Sequence, residues 1–111
     1  MSSATISETT GRACIVSDDG EVTMSCSYGG QRGYGVGKLN RPCHLAVDKD
    51  SQFIFVADEW NNRYVLLSLR LEFVCHISEE MSSPYRLYLH HTTRRLLVGH
   101  DYAGDVTVIQ L

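Results

Sequence analysis

The residues of this 111-residue chain best suited to chemistry are its cysteines, its histidines and one glycine-rich segment. Cys43-His44 and Cys75-His76 are two pairs of the soft ligands that zinc prefers. Cys14 and Cys26 invite a disulfide, and His90-His91 and His100 add further imidazoles. The stretch SYGGQRGYGVGKLN, Ser27 to Asn40, has the glycine content of a phosphate cradle. Its spacing is wrong for one. A P-loop needs glycine five residues before Gly-Lys and a hydroxyl residue after it, but Arg32 and Leu39 hold those positions, and Asn40-Arg41-Pro42 opposes a following helix. A flexible loop is the expectation. There is no Gly-x-Ser-x-Gly elbow, and no Ser or Cys has a recognisable general base beside it.

Whether the remaining candidates meet depends on the elements that carry them. A shift of 42 superposes Pro42 on Pro84, Leu45 on Leu87, Phe55 on Leu97, Val56 on Val98, Leu67 on Ile109 and Leu69 on Leu111. At a shift of 51, ACIVSDDGEVTMSC lies on YVLLSLRLEFVCHI. Turn residues cut the complete unit into strands a (Cys43 to Asp48), b (Phe53 to Ala57), c (Arg63 to Leu69) and d (Glu72 to Ile77). The next unit repeats a, b and c as Tyr85 to His90, Arg95 to Gly99 and Val106 to Leu111. Before the complete unit, Ala13 to Ser17 and Glu21 to Cys26, joined at Asp19-Gly20, supply strands c and d alone. Runs such as FIFVA and RLLVG are apolar throughout, as in sheets buried on both faces. The reading is all-β, a partial β-propeller of four-stranded blades. Residues 1–11 are expected to be disordered, 12–26 a half blade, 42–77 a complete blade and 84–111 a three-stranded terminal blade.

Strand order then removes most of the chemistry. Strands a and d are three steps apart, about 14 Å, too far for Cys43-His44 and Cys75-His76 to share one zinc. With Asp19-Gly20 as the turn, Cys14 faces Ser25 and Cys26 points to the other face. Neither metal, cofactor nor catalysis is expected. Asp48 and Asp58 suit strand ends, where carboxylates accept hydrogen bonds from turn amides. The b-to-c loop opens with Asp58 and closes with Arg63, and 42 residues later the same positions hold His100 and Asp105. Acid and base exchange places, so a pair across each loop is expected to fix the turn.

The string GVGKLNRPCHLAVDKDSQFIFVADEWNNRYVLLSL resembles the NHL repeat, with a Pro before strand a, an apolar-Asp end to that strand, a VAD-like end to strand b and Asn-Asn-Arg before strand c. The final stretch SSPYRLYLHHTTRRLLVGHDYAGDVTVIQL looks like the last NHL unit of tripartite-motif (TRIM-type) proteins, departing from the pattern at His100 and Ala103-Gly104-Asp105. The resemblance implies a propeller of about six blades, of which this chain is expected to be the C-terminal part. It also implies recruitment of substrates for ubiquitination, with any ligase activity in a RING module that these residues do not contain.

The b-to-c and d-to-a loops of a propeller share one face. Here that face gathers Tyr28, Arg32, Tyr34, Lys38 and Arg41 with Glu59, Trp60, Glu79, Glu80, Asp101 and Tyr102. Trp60 and Tyr102 occupy equivalent positions, and aromatics beside arginine are the composition of interface hot spots. A protein or peptide partner is therefore expected at Arg32, Tyr34, Lys38, Arg41, Trp60 and Tyr102. Single-stranded RNA is the alternative, because Val22 to Val47 holds no acid and the family includes RNA binders. Against it stand the loop carboxylates and a net charge of −3. The first twelve residues contain no secretory apolar block and the longest apolar run is Phe53 to Ala57, so a cytoplasmic protein without membrane contact is expected. The unpaired edges at Ala13 to Cys26 and Val106 to Leu111 invite self-association.

Overall fold

A computed structural model describes residues 3–7, 12–16, 22–78, 82–101 and 104–111, with side chains from Tyr28 onward. Alternating apolar runs and turn residues give three antiparallel meanders. The first holds β1 (Ser3–Ser7), β2 (Arg12–Val16) and β3 (Val22–Gly29) in that order. The second holds β4 (Pro42–Asp48), β5 (Phe53–Asp58), β6 (Arg63–Ser68) and β7 (Phe73–Ile77), and the third β8 (Pro84–His90), β9 (Arg95–His100) and β10 (Val106–Gln110). The described residues contain no α-helix, only one 3-10 turn at Glu59–Asn61. The protein is all-β, and none of its sheets closes on itself.

Backbone pairing repeats the sequence shift of 42 residue by residue. Leu45 faces Val56 as Leu87 faces Val98, and Ile54 faces Leu67 as Leu96 faces Ile109. Both β4 and β8 carry an irregularity after their leading proline, Pro42 or Pro84. The left-handed residues repeat as well: Arg41 with Ser83, Gln52 with Arg94, and Asn62 with Gly104. Left-handed backbone is costly for residues other than Gly and Asn, so its recurrence at the same offset marks one turn geometry built twice.

The central sheet is buried on both faces. Ile54, Val56, Val65 and Leu67 pack with Tyr28, Leu39 and Leu71 on one side. Phe55, Ala57 and Tyr64 pack with Leu87, Leu89, Leu96 and Val98 of the third sheet on the other. Successive side chains of a strand point to opposite faces, which is why FIFVA had to be apolar throughout. The sheets follow one another in the same way, β4 and β5 against β8 and, one step earlier, β1 against β4. The outward face of the third sheet leaves Tyr88, Val106 and Val108 exposed.

Two expectations are corrected at the N-terminal end. Segment 1–11 is not disordered throughout, because Ser3–Ser7 forms β1 and pairs along β2. The alternation in Ser3–Ser7 is short and polar, too weak to signal a strand until a partner is present. Ser7 faces Arg12 and Ser3 faces Val16, the register of Asp58 with Arg63 and Ile54 with Leu67 at the shift of 51. The first unit therefore has three strands rather than two. Its hairpin is also irregular: Cys14 faces Ser27, not Ser25, because the register shifts between Cys14 and Ile15.

The two-sided core predicts a sharp contrast between positions one strand apart. Leu96→Ala should lower the urea-unfolding free energy by about 2 to 5 kcal/mol, whereas Tyr88→Ser on the open face should change it by about 0.5 kcal/mol or less.

Candidate functional site

The site begins with a hairpin register. Asp58 ends β5 and Arg63 begins β6 directly opposite it. Between them the chain makes the Glu59–Asn61 turn and passes through Asn62 in the left-handed region, which asparagine tolerates better than most residues. Both charged side chains are fully buried, and Arg63 Nε lies 2.9 Å from Asp58 Oδ2. A buried pair needs its remaining donors and acceptors satisfied. Asp58 accepts from the Asn40 amide at 2.6 Å and from Asn61 Nδ2 at 2.8 Å. Arg63 Nη1 donates to Tyr34 O at 2.6 Å and Nη2 to Lys38 O at 3.1 Å. Burial pushes the Asp58 carboxyl upward while these donors pull it down.

Those carbonyls belong to the glycine-rich segment, so the ion pair pins a loop that would otherwise have little of its own to hold it. Asn61 Nδ2 also reaches Gly33 O at 2.7 Å, and Gly37 N donates to the Tyr28 hydroxyl at 2.7 Å. Leu39 anchors the lobe in the core. The Glu59 and Trp60 amides bond Arg41 O and Asn40 O. The expectation of a flexible loop gives way to a lobe fastened from three sides.

What the lobe presents outward is apolar and cationic. Tyr34, Val36 and Trp60 are 61%, 64% and 51% exposed. Beneath Tyr34, the Arg63 guanidinium carbon sits 4.4 Å from the ring centroid. Arg32 and Arg41 both lie over Trp60, at 6.0 and 5.5 Å. Arg41 also meets the buried Glu59, Nε to Oε1 at 2.9 Å. Burial first, and then Asp101, raise the Glu59 carboxyl. Of the residues singled out in the sequence, Arg32 and Arg41 thus meet at Trp60, and the Tyr34 ring and the Lys38 carbonyl meet at Arg63. Tyr102, Glu79 and Glu80 fall outside the described residues.

The second expected loop pair does not form through side chains. His100 N donates to Asp105 O, but the His100 ring turns to Ser82 O and Thr107 Oγ1, at 2.6 Å each. An imidazole is shorter than an arginine and finds nearer partners. Asp48 does accept a turn amide, from Asp50 at 3.2 Å, and a hydroxyl from Ser51 at 2.5 Å. Arg94 adds both of its terminal nitrogens and holds the Asp48 carboxyl far below its ordinary range. Asp48, Asp50 and His91 bring ligand atoms within 4.8 Å of one another, but Arg94 already occupies the Asp48 oxygens.

Cys43 Sγ points to Pro84 O and Tyr85 O in the neighbouring sheet, and His44 Nδ1 accepts the Leu87 amide at 2.9 Å. His76 has a different role. Its Nδ1 lies 2.9 Å from Arg63 Nη1, a donor only, so this nitrogen accepts and the ring is neutral. Burial and the Arg63 charge both lower its affinity for a proton.

Neither a protein-family model nor a curated protein sequence matches this chain.

Sequence reasoning missed Asn40, Asn61 and His76 in the network and the Asp48–Arg94 link between sheets. It had a signal for the third copy of the loop: SETTGR at Ser7 to Arg12 has the spacing of DEWNNR at Asp58 to Arg63 and HDYAGD at His100 to Asp105, with an acid second in each.

Removing Arg63 should cost far more than a surface ion pair. Arg63→Met strands a buried carboxylate and should destabilise the protein by about 3 to 5 kcal/mol, read from chemical denaturation at neutral pH.

His76 makes a pH prediction. Its folded-state pKa lies below the unfolded value of 6.5, so the unfolded chain takes up the proton first as pH falls. Its contribution is complete above 6.5 and declines below it. His44, lowered by burial and Arg86, acts in the same sense, while Asp58 and Glu59, both raised, act in the opposite one. Comparing variants isolates the term: the loss of stability from about pH 7.5 to about pH 5.5 should be smaller in His76→Phe than in the parent chain.

Proposed function

We propose that this protein is a non-catalytic binding scaffold, its partner a protein or peptide taken by the lobe face around Tyr34, Val36 and Trp60. One observation carries the reading: Tyr34 and Val36 are held out to solvent by a backbone whose carbonyls are fastened to a buried arginine, and Trp60 stands exposed on the Glu59–Asn61 turn that bonds the same lobe at Asn40 O. Exposed aromatics on a fixed frame lose little conformational entropy on binding, and arginine beside them is typical of hot spots.

The three sheets are read as consecutive NHL-type propeller blades, in keeping with the repeated turns and sheet contacts. The open face of Tyr88, Val106 and Val108 corresponds, 42 residues on, to the face of Ala46, Tyr64 and Leu66 that the third sheet covers. In a TRIM-type setting this segment would select substrates for ubiquitination, with a RING module elsewhere performing the transfer. No helix is long and apolar enough to cross a membrane among the described residues.

Panning a random-peptide display library on the immobilised chain tests the reading. Peptides should be enriched on the parent chain and lost on the Tyr34→Ala, Trp60→Ala double variant. Enrichment that persists on the variant, or none on the parent, contradicts it.

A further inference from the structure

Resting on the proposed lobe face as a peptide site, the geometry points to an acidic peptide as its occupant, with an aromatic or aliphatic residue next to Asp or Glu. The first argument is charge. The lobe face carries Arg32, Lys38 and Arg41, and the segment from Val22 to Val47 contains no acid. Among the described residues, two carboxylates next to it are turned inward: Asp58 is fully buried against Arg63, and Glu59 is 1% exposed and bound to Arg41. Asp101 also lies beside Glu59 and raises its carboxyl. Among the described residues Arg32 and Lys38 make no ion pair, although the chain as a whole carries a charge of −3. A cationic patch on a net-negative protein selects a locally anionic partner.

The second argument is the state of Trp60. Arg32 and Arg41 both lie over its ring, 6.0 and 5.5 Å from the centroid, and Arg41 Nε is bonded to the buried Glu59. Guanidinium edges match carboxylates in a two-pronged fashion. Tyr34 and Val36, more than half exposed beside them, supply the apolar half of the contact. This arrangement argues against single-stranded RNA, which needs open aromatic platforms for its bases. Here the indole already has cations on it, and the Tyr34 ring is backed by Arg63. Carboxylate recognition also suits the separation of roles: Arg63 holds the frame, while Arg32 and Lys38, which make no ion pair among the described residues, meet the ligand.

The test uses the intact chain and three probes, read by fluorescence anisotropy: a labelled Asp-Glu-Phe-Leu-Glu-Asp peptide, its counterpart with Lys at every acidic position, and a labelled short oligouridine. The acidic peptide should bind at least about tenfold more tightly than the basic one. Arg32→Glu should remove most of that preference. Its side chain is exposed, and an unchanged unfolding midpoint verifies that the variant is folded. Two results overturn the inference: equal or tighter binding of the basic peptide, or tighter binding of oligouridine with a steep salt dependence. Library panning separates the two levels of the argument. Enriched peptides without acidic residues refute the inference and leave the peptide site standing, whereas no enrichment refutes both.

Discussion

The buried pair of Asp58 and Arg63 is the constraint on which the upper end of this molecule depends. A carboxylate and a guanidinium removed from water are each expensive, and their mutual attraction suffices only when every other polar atom is met. The chain meets them with parts of a segment that has no strand of its own: the Asn40 amide for Asp58, and the Tyr34 and Lys38 carbonyls for Arg63. The requirement works in both directions. The pair tolerates burial because the lobe caps it, and the lobe keeps its shape because the pair demands those partners.

Position and function follow from that exchange. The pair sits where β5 turns into β6, a site fixed by the register of a sheet buried on both faces. A rigid sheet thus dictates where a glycine-rich loop must go, and the loop in turn dictates where Tyr34 and Val36 emerge, while Trp60 emerges from the turn between β5 and β6. The Asp48–Arg94 link, from the end of β4 to the turn before β9, ties the neighbouring sheets together at the other end of the strands. Between the two lies mainly apolar packing, crossed by the bond from the Leu87 amide to His44 Nδ1. Charge is used at the ends of the strands and hydrophobic burial in their middle.

Much of this was legible in the residue order, and the exceptions have physical causes. The strands from Pro42 onward declare themselves because their apolar runs recur at a shift of 42 and turn residues separate them. Asp58 with Arg63 was legible because a pair flanking a tight loop must face one another in a hairpin. His100 with Asp105 has the same spacing but not the same reach, so equivalent positions did not give equivalent bonds. β1 escaped notice because a short, mostly polar strand at an edge gains its identity from its partner. His76 and Asn40 escaped because their roles come from contacts 13 and 18 residues away in sequence, which no local pattern encodes.

Amide hydrogen exchange with the Arg63→Gln variant tests the dependence of the lobe on the buried pair most directly. The substituted glutamine is too short to hold the Tyr34 and Lys38 carbonyls, so the account predicts that the Gly33, Gly37 and Asn40 amides exchange at least about tenfold faster while those of β5 and β9 keep more of their protection. If those three amides stay as protected as in the parent chain, or if the lobe and β9 lose protection together, the pair does not hold the lobe and the account is wrong.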